Sequence, residues 1–477
     1  MAADPLYLAI DQGTHASRAV VLDGLGNVVS TGSKEISLAR PQPDWAEQDG
    51  EEMISSIYAA TLKALSALEE RSRNVIAVGL ASQRSSCTCW DARSGRALTP
   101  VFSWQDRRAH KWLRQFEPQA DDVHRKTGLF LSAHYGASKL RWALDNVPAV
   151  REAKEAERLC WGPLASFLVY RLTAGHAMCA DPQCAARTQL WNLHTRDWDP
   201  GLLTLFGVPP GYLPRSVATC HPFGTMRIED VTAPLVAVNG DQSAAVFAFG
   251  CPDEDSAYVN IGTSAFVQRA VTEEPGYAPR SLTGIILDDG KKTVYSLEGN
   301  VNGAGTALEW LETDLGIENA VSRLPEWLDA PGEPPLFLNG IAGLGGPFWK
   351  PDFASRFVGE GGAPQKAVAV VESIAFLLQA NIDEIGKFVP PARRIRASGG
   401  LSRFDGLCRR LAEVSGLPVH RREDAEATAR GIGFLAAGQP NRWNESAVED
   451  VFTPGGDEGL RRRYARWRAL MAEATGI

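Results

Sequence analysis

Residues 7–23 read YLAIDQGTHASRAVVLD, and this stretch decides how the rest of the chain is interpreted. Apolar and strand-forming residues flank a polar segment, DQGTHASR, which has Gly13 where a tight turn needs a small residue. The pattern predicts a β-hairpin. Asp11 ends the first strand, where burial of a carboxylate costs free energy unless a partner compensates for it. We therefore expect this hairpin to hold a ligand or a cation.

The composition is typical of a globular protein with more than one domain. The chain has 477 residues, of which 44% are hydrophobic and 22% charged. A net charge of -8 argues against a general nucleic-acid binder, which carries a basic surplus. An apolar run of about 18 residues, the length that spans a bilayer, is absent, and so is a basic, apolar leader.

The cysteines favour a cytoplasmic protein with reduced thiols. There are eight, they are scattered, and they form no CxxC pair, which argues against a zinc ribbon. Cys87 and Cys89 are too close for an ordinary disulfide on one strand.

The segments that follow the hairpin predict an α/β domain with a mixed sheet. A third strand is expected over 28–37, a helix over 51–70 and a strand over 75–82. Further helices are expected around 137–157 and 200–206. Residues 194–214 are rich in turn residues, so we expect a surface elaboration there.

A second copy of the opening scheme begins near the middle of the chain. Residues 234–250 (PLVAVNGDQSAAVFAFG) predict a strand, a sharp turn and a helix, and residues 257–271 (AYVNIGTSAFVQRAV) predict a hairpin with a Gly-Thr turn. Ile261 stands where the first hairpin has Asp11. A duplicated α/β architecture is predicted, with domains at 1–245 and 246–477 and a cleft between them.

At these residues the sequence resembles the FGGY family of carbohydrate kinases over nearly its whole length. The motifs that carry the resemblance, in chain order, are DQGTHASRAVVLD, PDWAEQDG, SQRSSCTCW, SWQDRR, RTQLWNLHTRDWD, GDQSAA, LEGNVNGAGTALEWL, GLGGPFWKPDF and SGGLSRFDGLCRRLAEVSG. The resemblance implies duplicated ribonuclease-H-like domains of the actin and hexokinase type. It also implies ATP- and Mg²⁺-dependent phosphorylation of a polyol or sugar hydroxyl. Glycerol is the default substrate, and a ketopentose or a four- to five-carbon polyol is the alternative.

By this resemblance the two hairpins bind phosphates. A Gly-Thr turn presents backbone N–H groups to phosphate oxygens, and a carboxylate is a hard oxygen ligand for Mg²⁺. Asp11 is the expected metal ligand. The residues expected to contact the nucleotide phosphates are Gln12, Gly13, Thr14, Arg18, Gly262 and Thr263. The alternative is a pair of ordinary β-turns with Asp11 as a cap, and a P-loop is excluded because no GxxxxGK[ST] motif occurs.

Asp241 is the expected catalytic base. The strand LVAVN delivers Gly240 and Asp241 to its carboxyl end, where α/β sheets bind ligands. By resemblance Asp241 takes the proton of the attacking hydroxyl and is a second metal ligand, while Gln242 bonds a substrate hydroxyl. A helix N-cap is the alternative role for Asp241.

The expected substrate pocket departs from the glycerol pattern at two positions. Arg84 and Trp104 match the family, but Ser85 replaces a glutamate and His134, beside Tyr135, replaces a tyrosine. Phe266 is expected to close the pocket. A smaller, uncharged Ser85 leaves space and favours a larger substrate. A surface salt bridge for Arg84 and a structural role for His134 are the alternatives.

The nucleotide's base and ribose are expected in the second half of the chain. Gly305 and Glu309 match positions that contact ADP in the family, and Gly399 and Gly400 match its adenosine-binding turn. Phe404 stands where the family has an asparagine. The expected partners are ATP and a small polyol or sugar, without nucleic acid or membrane, in a homodimer or other homo-oligomer. A noncatalytic sensing homologue stays open as an alternative class, whereas Arg84, Trp104 and the GDQ motif have no role in a chaperone or filament protein.

Overall fold

The computed structural model describes residues 4–328, 332–422, 426–441, 443 and 449–477. Strands in the first half of the chain are β1 (Leu6–Gln12), β2 (Ala16–Leu22), β3 (Val28–Glu35), β4 (Glu47–Gln48), β5 (Val75–Ser82), β6 (Cys87–Asp91), β7 (Val101–Phe102), β8 (Leu159–Pro163), β9 (Thr173–Ala174), β10 (Cys179–Ala180), β11 (Trp191–Asn192), β12 (Asp197–Trp198), β13 (Arg215–Ser216), β14 (Cys220–Ile228) and β15 (Val231–Gly240). Helices there are α1 (Gly50–Ser66), α2 (His110–Leu113), α3 (Ala120–Thr127), α4 (Gly136–Asn146), α5 (Pro148–Glu155), α6 (Leu164–Leu172), α7 (Pro182–Ala186), α8 (Pro200–Phe206) and α9 (Asp241–Val246).

The second half of the chain continues the same alternation of strands and helices. Its strands are β16 (Ser256–Ile261), β17 (Ala265–Val271), β18 (Leu282–Asp288), β19 (Thr293–Val301), β20 (Leu336–Leu338), β21 (Arg356–Val358), β22 (Arg394–Ser398), β23 (Val419–Arg422) and β24 (Glu449–Phe452). Its helices are α10 (Gly305–Thr313), α11 (Ala320–Leu328), α12 (Ala363–Ile385), α13 (Asp405–Ser415), α14 (Ala427–Ala436) and α15 (Glu458–Thr475).

The chain forms two compact units, each of which uses more than one segment. The first unit comprises residues 1–251, 284–295 and 426–446, and the second comprises 252–283, 296–425 and 447–477. The single domain boundary at residue 245 stays a prediction. Two later segments, 284–295 and 426–446, belong to the first unit.

The first seven-stranded sheet places three site segments side by side at the carboxyl ends of its parallel strands. Its strand order is β3-β2-β1-β5-β15-β14-β9. β1 is antiparallel to β2, which confirms the predicted hairpin, and parallel to β5. β5 is in turn parallel to β15. The carboxyl ends of β1, β5 and β15 therefore lie side by side, and the residues that follow them are neighbours.

Helices cover both faces of this sheet, because successive side chains of a strand point to opposite faces. Leu8 and Ile10 of β1 lie in a buried apolar cluster with Ile57 of α1. The other face is covered by α14, which approaches so closely that a Cβ at Gly79 of β5 would lie 2.6 Å from the carbonyl oxygen of Ile432. The result is a three-layer α/β unit whose central strands are buried.

The second seven-stranded sheet repeats the scheme of the first. Its order is β18-β19-β17-β16-β22-β23-β24. β16 is antiparallel to β17 and parallel to β22, as β1 is antiparallel to β2 and parallel to β5. The predicted duplication is confirmed in this pairing, since a hairpin with a Gly-Thr turn and a parallel partner strand occurs in both sheets.

The helices predicted around 137–157 are α4 and α5, and they are separate because Pro148 starts a new helix and holds Val147 in an extended conformation. One prediction about local structure was wrong. The segment 194–214 is not only a surface elaboration, since Leu202, Leu203 and Phe206 are buried in a core shared with Leu140 of α4. The last helix, α15, buries its Trp467 fully. No helix among the described residues has both the length and the hydropathy needed to span a bilayer.

Candidate active site

Asp11 is buried at the end of β1, opposite Arg18 in the hairpin. Asp11 is 7% exposed, and its carboxylate lies 3.8 Å from a guanidinium nitrogen of Arg18. Burial, together with the carboxylates of Asp241 and Glu426 and against the charge of Arg18, raises the pKa of Asp11 to about 7. A buried acid beside other acids is stabilised by a bound cation. The site therefore fits a hard divalent metal ion.

Hydrogen bonds connect the turn of this hairpin to Trp104, a residue of the expected substrate pocket. The indole Nε1 of Trp104 donates a hydrogen bond of 2.9 Å to Thr14 Oγ1, and the Gln48 side chain donates one of 2.7 Å to the Thr14 carbonyl. The N–H of Gly13 is used within the turn, where it donates to the Ala16 carbonyl at 3.0 Å. Thr14 thus belongs to both the predicted phosphate turn and the wall of the pocket.

Three buried glutamines connect the hairpin to the loop that follows β5. Gln83 donates to the side-chain oxygens of Gln48, at 2.9 Å, and Gln12, at 3.3 Å. Gln12 in turn donates to the Gly13 carbonyl at 2.8 Å. Sequence reasoning missed Gln48 and Gln83, although both lie in or next to motifs of the resemblance. Their network fixes the hairpin relative to Arg84.

The loop after β5 holds Arg84 and Ser85 in a buried and unusual conformation. Arg84 packs against Gly240 so closely that a Cβ at Gly240 would lie 2.6 Å from Arg84 Cγ. Ser85 is buried and has a φ of +64°, in the left-handed region that serine rarely adopts. Among the described residues the Ser85 hydroxyl has no hydrogen-bond partner. Arg84 is buried in this loop, which argues against a surface salt bridge as its role.

Asp241 is the first residue of α9, directly after β15. The N-cap of α9 is Gly240, so Asp241 is not the helix cap that the alternative interpretation expected. Its carboxylate accepts hydrogen bonds from the backbone N–H of Gln242, at 2.8 Å, and from that of Arg84. Burial raises the pKa of Asp241, and the charges of Arg84 and Arg187 oppose this. A carboxylate with raised basicity beside a fixed arginine suits a general base.

Arg187 is a buried cation of the site that sequence reasoning did not single out. It follows α7, whose N-terminus is capped by the Asp181 carboxylate through hydrogen bonds from the backbone N–H groups of Gln183 and Cys184. The charge of Arg187 lowers the pKa of Asp241 and that of His134. The available signal was the motif RTQLWN, which begins at this residue.

Trp104 and His134 lie together in the first unit. Their ring centroids are 5.9 Å apart, and His134 also makes an edge-on contact with Tyr135 at 4.8 Å. Burial holds the pKa of His134 well below its ordinary value, and the cations Arg107, Lys139, Arg187 and Arg84 lower it further. His134 is therefore a neutral imidazole at neutral pH.

The second unit brings together four of the predicted nucleotide residues. The N–H of Gly305 donates to the Gly262 carbonyl at 3.0 Å, and the N–H of Thr306 donates to the Thr263 carbonyl at 3.1 Å. Gly399 has a φ of +88°, and a Cβ there would lie 2.5 Å from the Ile261 carbonyl oxygen. The turn after β16, the start of α10 and the turn after β22 therefore meet at one place.

Other predicted residues of the second unit lie around this place or on β17. Glu309 is exposed one turn into α10, and Gly400 is exposed after Gly399. Phe266 lies on β17, where it pairs with Asn260 of β16. Phe404 precedes the first residue of α13. The nucleotide and substrate roles of these residues stay predictions.

The duplicated fold, with Asp11 at the end of β1 and Asp241 directly after β15, defines a class of protein, the ATP-dependent phosphotransferases. Comparison with known families agrees with this class. The N-terminal domain model of the FGGY family of carbohydrate kinases matches residues 6–248, and the C-terminal domain model of the same family matches residues 257–439. The chain belongs to the FGGY family of carbohydrate kinases.

Curated relatives match the chain from end to end. A glycerol kinase of Alkalilimnicola ehrlichii is 34% identical over 488 residues, which cover 98% of each chain. A glycerol kinase of Shewanella frigidimarina is 32% identical over 500 residues, which cover 100% of this chain and 99% of the relative. The enzyme is therefore an ATP-dependent kinase that phosphorylates a hydroxyl of a small polyol or sugar.

Solved structures share the fold at lower sequence identity. A Plasmodium falciparum glycerol kinase with ADP superposes with a TM-score of 0.91 at 22% identity, over 99% of each chain. A xylulose kinase of Lactobacillus acidophilus gives a TM-score of 0.85 at 22% identity, over 98% of this chain and 97% of that one. The family, the fold class and the kinase activity predicted from the motifs are confirmed.

Proposed function

We propose that this kinase transfers the γ-phosphoryl group of ATP to a hydroxyl of glycerol. One observation carries the proposal. The Asp241 carboxylate, whose pKa is raised, accepts a hydrogen bond from the backbone N–H of Arg84. The glycerol kinases that match the chain over nearly its full length support glycerol as the substrate.

In the proposed reaction Asp241 accepts the proton of the attacking hydroxyl. Phosphoryl transfer asks the protein mainly for positioning and charge stabilisation, and a fixed carboxylate supplies the base. Arg84 donates to substrate hydroxyls, and Gln242 bonds another. Trp104 packs against the carbon chain, its ring held in place by the 2.9 Å hydrogen bond to Thr14. His134, which is neutral, lines the pocket beside Trp104.

Mg²⁺ is the proposed metal, and the donor set is suited to it. Asp11 and Asp241 would hold the ion together with nucleotide phosphates, as Mg²⁺ sites with one or two carboxylates do. When bound, the ion neutralises phosphate charge. Thr14 and Arg18 lie on the same hairpin as Asp11 and would contact the phosphates.

The remaining nucleotide contacts are proposed for the second unit. The turn residues Gly262 and Thr263 meet Gly305 of α10, so they form one continuous backbone surface for the nucleotide. Gly399 and Gly400 would contact the adenosine, and Glu309 lies one turn further along α10. The assignment of Gln12 to the nucleotide rests on the resemblance, while its side chain also holds the turn.

A four- to five-carbon polyol or a ketopentose is the second candidate substrate. Ser85 favours it, because this buried hydroxyl is short, uncharged and, among the described residues, without a partner. A hydrogen bond to a charged group contributes about 1.5–3 kcal/mol and a neutral one about 0.5–1.5 kcal/mol. A glutamate at this position would therefore add roughly 1 kcal/mol, or several-fold in kcat/KM, to the binding of a small polyol.

Two substitutions in the pocket are expected to change its substrate preference. Ser85→Glu combined with His134→Tyr is expected to raise kcat/KM for glycerol several-fold and to lower it for the longer substrate. Ser85→Gln with His134→Tyr is the matched control, since it has the same length without the charge. If both double variants lose activity on glycerol while the unchanged enzyme uses it well, Ser85 and His134 belong to a rebuilt glycerol site.

The proposed surroundings are the cytoplasm and a homodimer or other homo-oligomer. All eight cysteines are free thiols, which suits a reducing compartment.

The decisive experiment for the proposed function is ADP formation measured in a coupled assay. The panel holds glycerol, erythritol, xylitol, xylulose and ribulose, each with ATP and Mg²⁺. The expected result is saturable turnover that is fastest with glycerol. Turnover that is fastest with a pentulose or a longer polyol would select the second candidate, and no ADP formation with any compound would refute the proposal.

A further inference from the structure

Lys139 is a fully buried cation beside the substrate pocket. It lies in the second turn of α4 and is 0% exposed. Its ammonium donates to three backbone carbonyls, those of His134 and Ser103 at 2.8 Å and that of Ser85 at 3.2 Å. All three N–H donors of the ammonium are therefore used, and none is left to bind the substrate directly.

The three carbonyls belong to three chain segments that carry predicted substrate residues, those with Arg84 and Ser85, with Trp104 and with His134. Ser85 follows Arg84 in the loop after β5, and Ser103 precedes Trp104. His134 lies just before α4. Ser85, Ser103 and His134 are 54, 36 and 5 residues from Lys139 in sequence, and one ammonium group joins their segments. Ser85 is the segment that needs restraint most, because its φ of +64° is costly for serine.

The charges around Lys139 do not neutralise it. Among the described residues no carboxylate pairs with the ammonium, whose bonds are all to neutral carbonyls. Asp106, whose charge acts on Lys139, accepts from Arg108 at 2.8 Å and from the Ala46 N–H at 2.9 Å. Arg107 and Arg108 face Lys139 as cations, and the Cys87 thiol lies on β6 beside it.

We propose that Lys139 is a positioning residue for catalysis, whose ammonium sets Arg84, Trp104 and His134 relative to one another and so aligns the substrate hydroxyl with Asp241. This inference rests on the proposed function of the pocket. An uncharged side chain of similar length fills the same space but cannot join the three carbonyls, so the pocket loses its alignment while the core keeps its volume. A misplacement of about 1 Å costs on the order of 10²-fold in rate.

The charge state of Lys139 gives this role a pH dependence. Burial lowers the pKa of Lys139 to about 8, with Arg107 and Arg108 lowering it and Cys87 and Asp106 opposing them. Above this pH the neutral amine has two N–H groups for three carbonyls, and its lone pair faces an oxygen. Cys87 and His134 do not change charge between about pH 7 and 9, since the pKa of Cys87 is raised to about 11 and His134 is already neutral.

The test is the pH profile of the kinetics, measured with the full chain. In the unchanged enzyme kcat/KM for the hydroxyl substrate is expected to fall above about pH 8, whereas KM for ATP stays constant within about twofold. Lys139→Met is expected to lower kcat/KM for the substrate by about 10- to 100-fold at pH 7.5 and to abolish the alkaline limb. Lys154→Met, at an exposed position of α5, is the matched control and keeps both.

A folded Lys139→Met enzyme with unchanged kcat/KM, or with the same alkaline limb, would overturn the proposal, and so would a flat profile in the unchanged enzyme. If Lys139→Met does not fold, the binding of substrate to the unchanged protein at pH 7 and pH 9.5 replaces it, and equal affinities would count against the role. Absence of ADP formation at every pH refutes the kinase substrate assignment instead, so the two failures are distinguishable.

Discussion

Replacement of Asp241 by asparagine is expected to lower kcat by about 10²-fold or more while the protein stays folded. Asparagine has the same shape and still accepts a hydrogen bond from the backbone N–H of Gln242, which is 2.8 Å from the carboxylate. It cannot accept the proton of the attacking hydroxyl. The amide loses the attraction of Arg84 and Arg187 but also the desolvation cost of the carboxylate, and these two effects oppose each other.

The control for this experiment is Asp230→Asn, which removes an exposed carboxylate of the same unit after β14. Circular dichroism and the thermal midpoint establish that both variants are folded, and steady-state ADP formation gives kcat. Activity of Asp241→Asn within about threefold of the unchanged enzyme would show that another group is the base.

The pH profile gives a second test of the same residue. Burial raises the pKa of Asp241, so the base is protonated at a pH where an ordinary aspartate is still ionised. The activity limb at acidic pH therefore lies above the ordinary aspartate range. Because Arg84 and Arg187 oppose the effect of burial, Arg187→Gln is expected to move this limb further toward neutral pH.

The local parts of the site were predictable because they depend on neighbours in sequence. The hairpin around Asp11 and Gly13 follows from apolar, strand-forming residues on either side of a polar turn, and β1 and β2 pair antiparallel as predicted. Asp241 follows a strand that is apolar along its length, which placed it at the carboxyl edge of the sheet. The duplicated hairpin was detectable for the same reason, since both copies keep the Gly-Thr turn.

The contacts that complete the site were not predictable, because packing brings together residues that are far apart in sequence. Trp104 donates to Thr14 across 90 positions, and Lys139 reaches Ser85 across 54. A lysine within an amphipathic helix reads as an exposed residue, yet this one is completely buried. No spacing rule in the sequence signals a cation that binds backbone carbonyls of three loops.

One glycine was predicted correctly in position but for a different reason. Gly13 does not have a positive φ, so its turn does not need the conformational freedom of glycine. Its N–H is bonded to Ala16 within the turn, which leaves the following residues of the hairpin to meet a phosphate. The requirement for glycine is clearer at Gly240, where Arg84 occupies the space of a Cβ.

Replacement of Asp11 by asparagine is expected to stabilise the metal-free protein at pH 8 and to suppress its turnover. Burial and the neighbouring acids raise the pKa of Asp11 from 3.8 to about 7. Between about pH 4 and 7 the folded chain keeps a proton that the unfolded chain releases, so the stability of the fold declines as pH rises through this window. Above about pH 7 the full penalty of the charged group is present, and asparagine removes it.

The size of the effect follows from the shift. Three pKa units correspond to about 4 kcal/mol, an upper bound that relaxation of the site reduces to about 1–3 kcal/mol. We expect the thermal midpoint of Asp11→Asn to exceed that of the unchanged protein by a few degrees at pH 8, and the two to agree at about pH 4. The comparison is made with ligand-free, metal-free protein, since bound Mg²⁺ would stabilise the carboxylate.

Asp11→Asn is expected to lower activity although it raises stability, because the carboxylate that destabilises the metal-free protein is the one that would hold the metal. Asp11→Asn, like Asp11→Ala, is expected to raise the Mg²⁺ concentration needed for half-maximal turnover and to lower kcat, while the affinity for the polyol stays nearly constant. Calorimetric titration with polyol alone and with Mg²⁺ and nucleotide separates the two sides of the site. Loss of polyol binding with unchanged binding of the metal and nucleotide would place Asp11 on the substrate side, and an Asp11→Asn protein less stable at pH 8 would show that its carboxylate supports the fold rather than the metal.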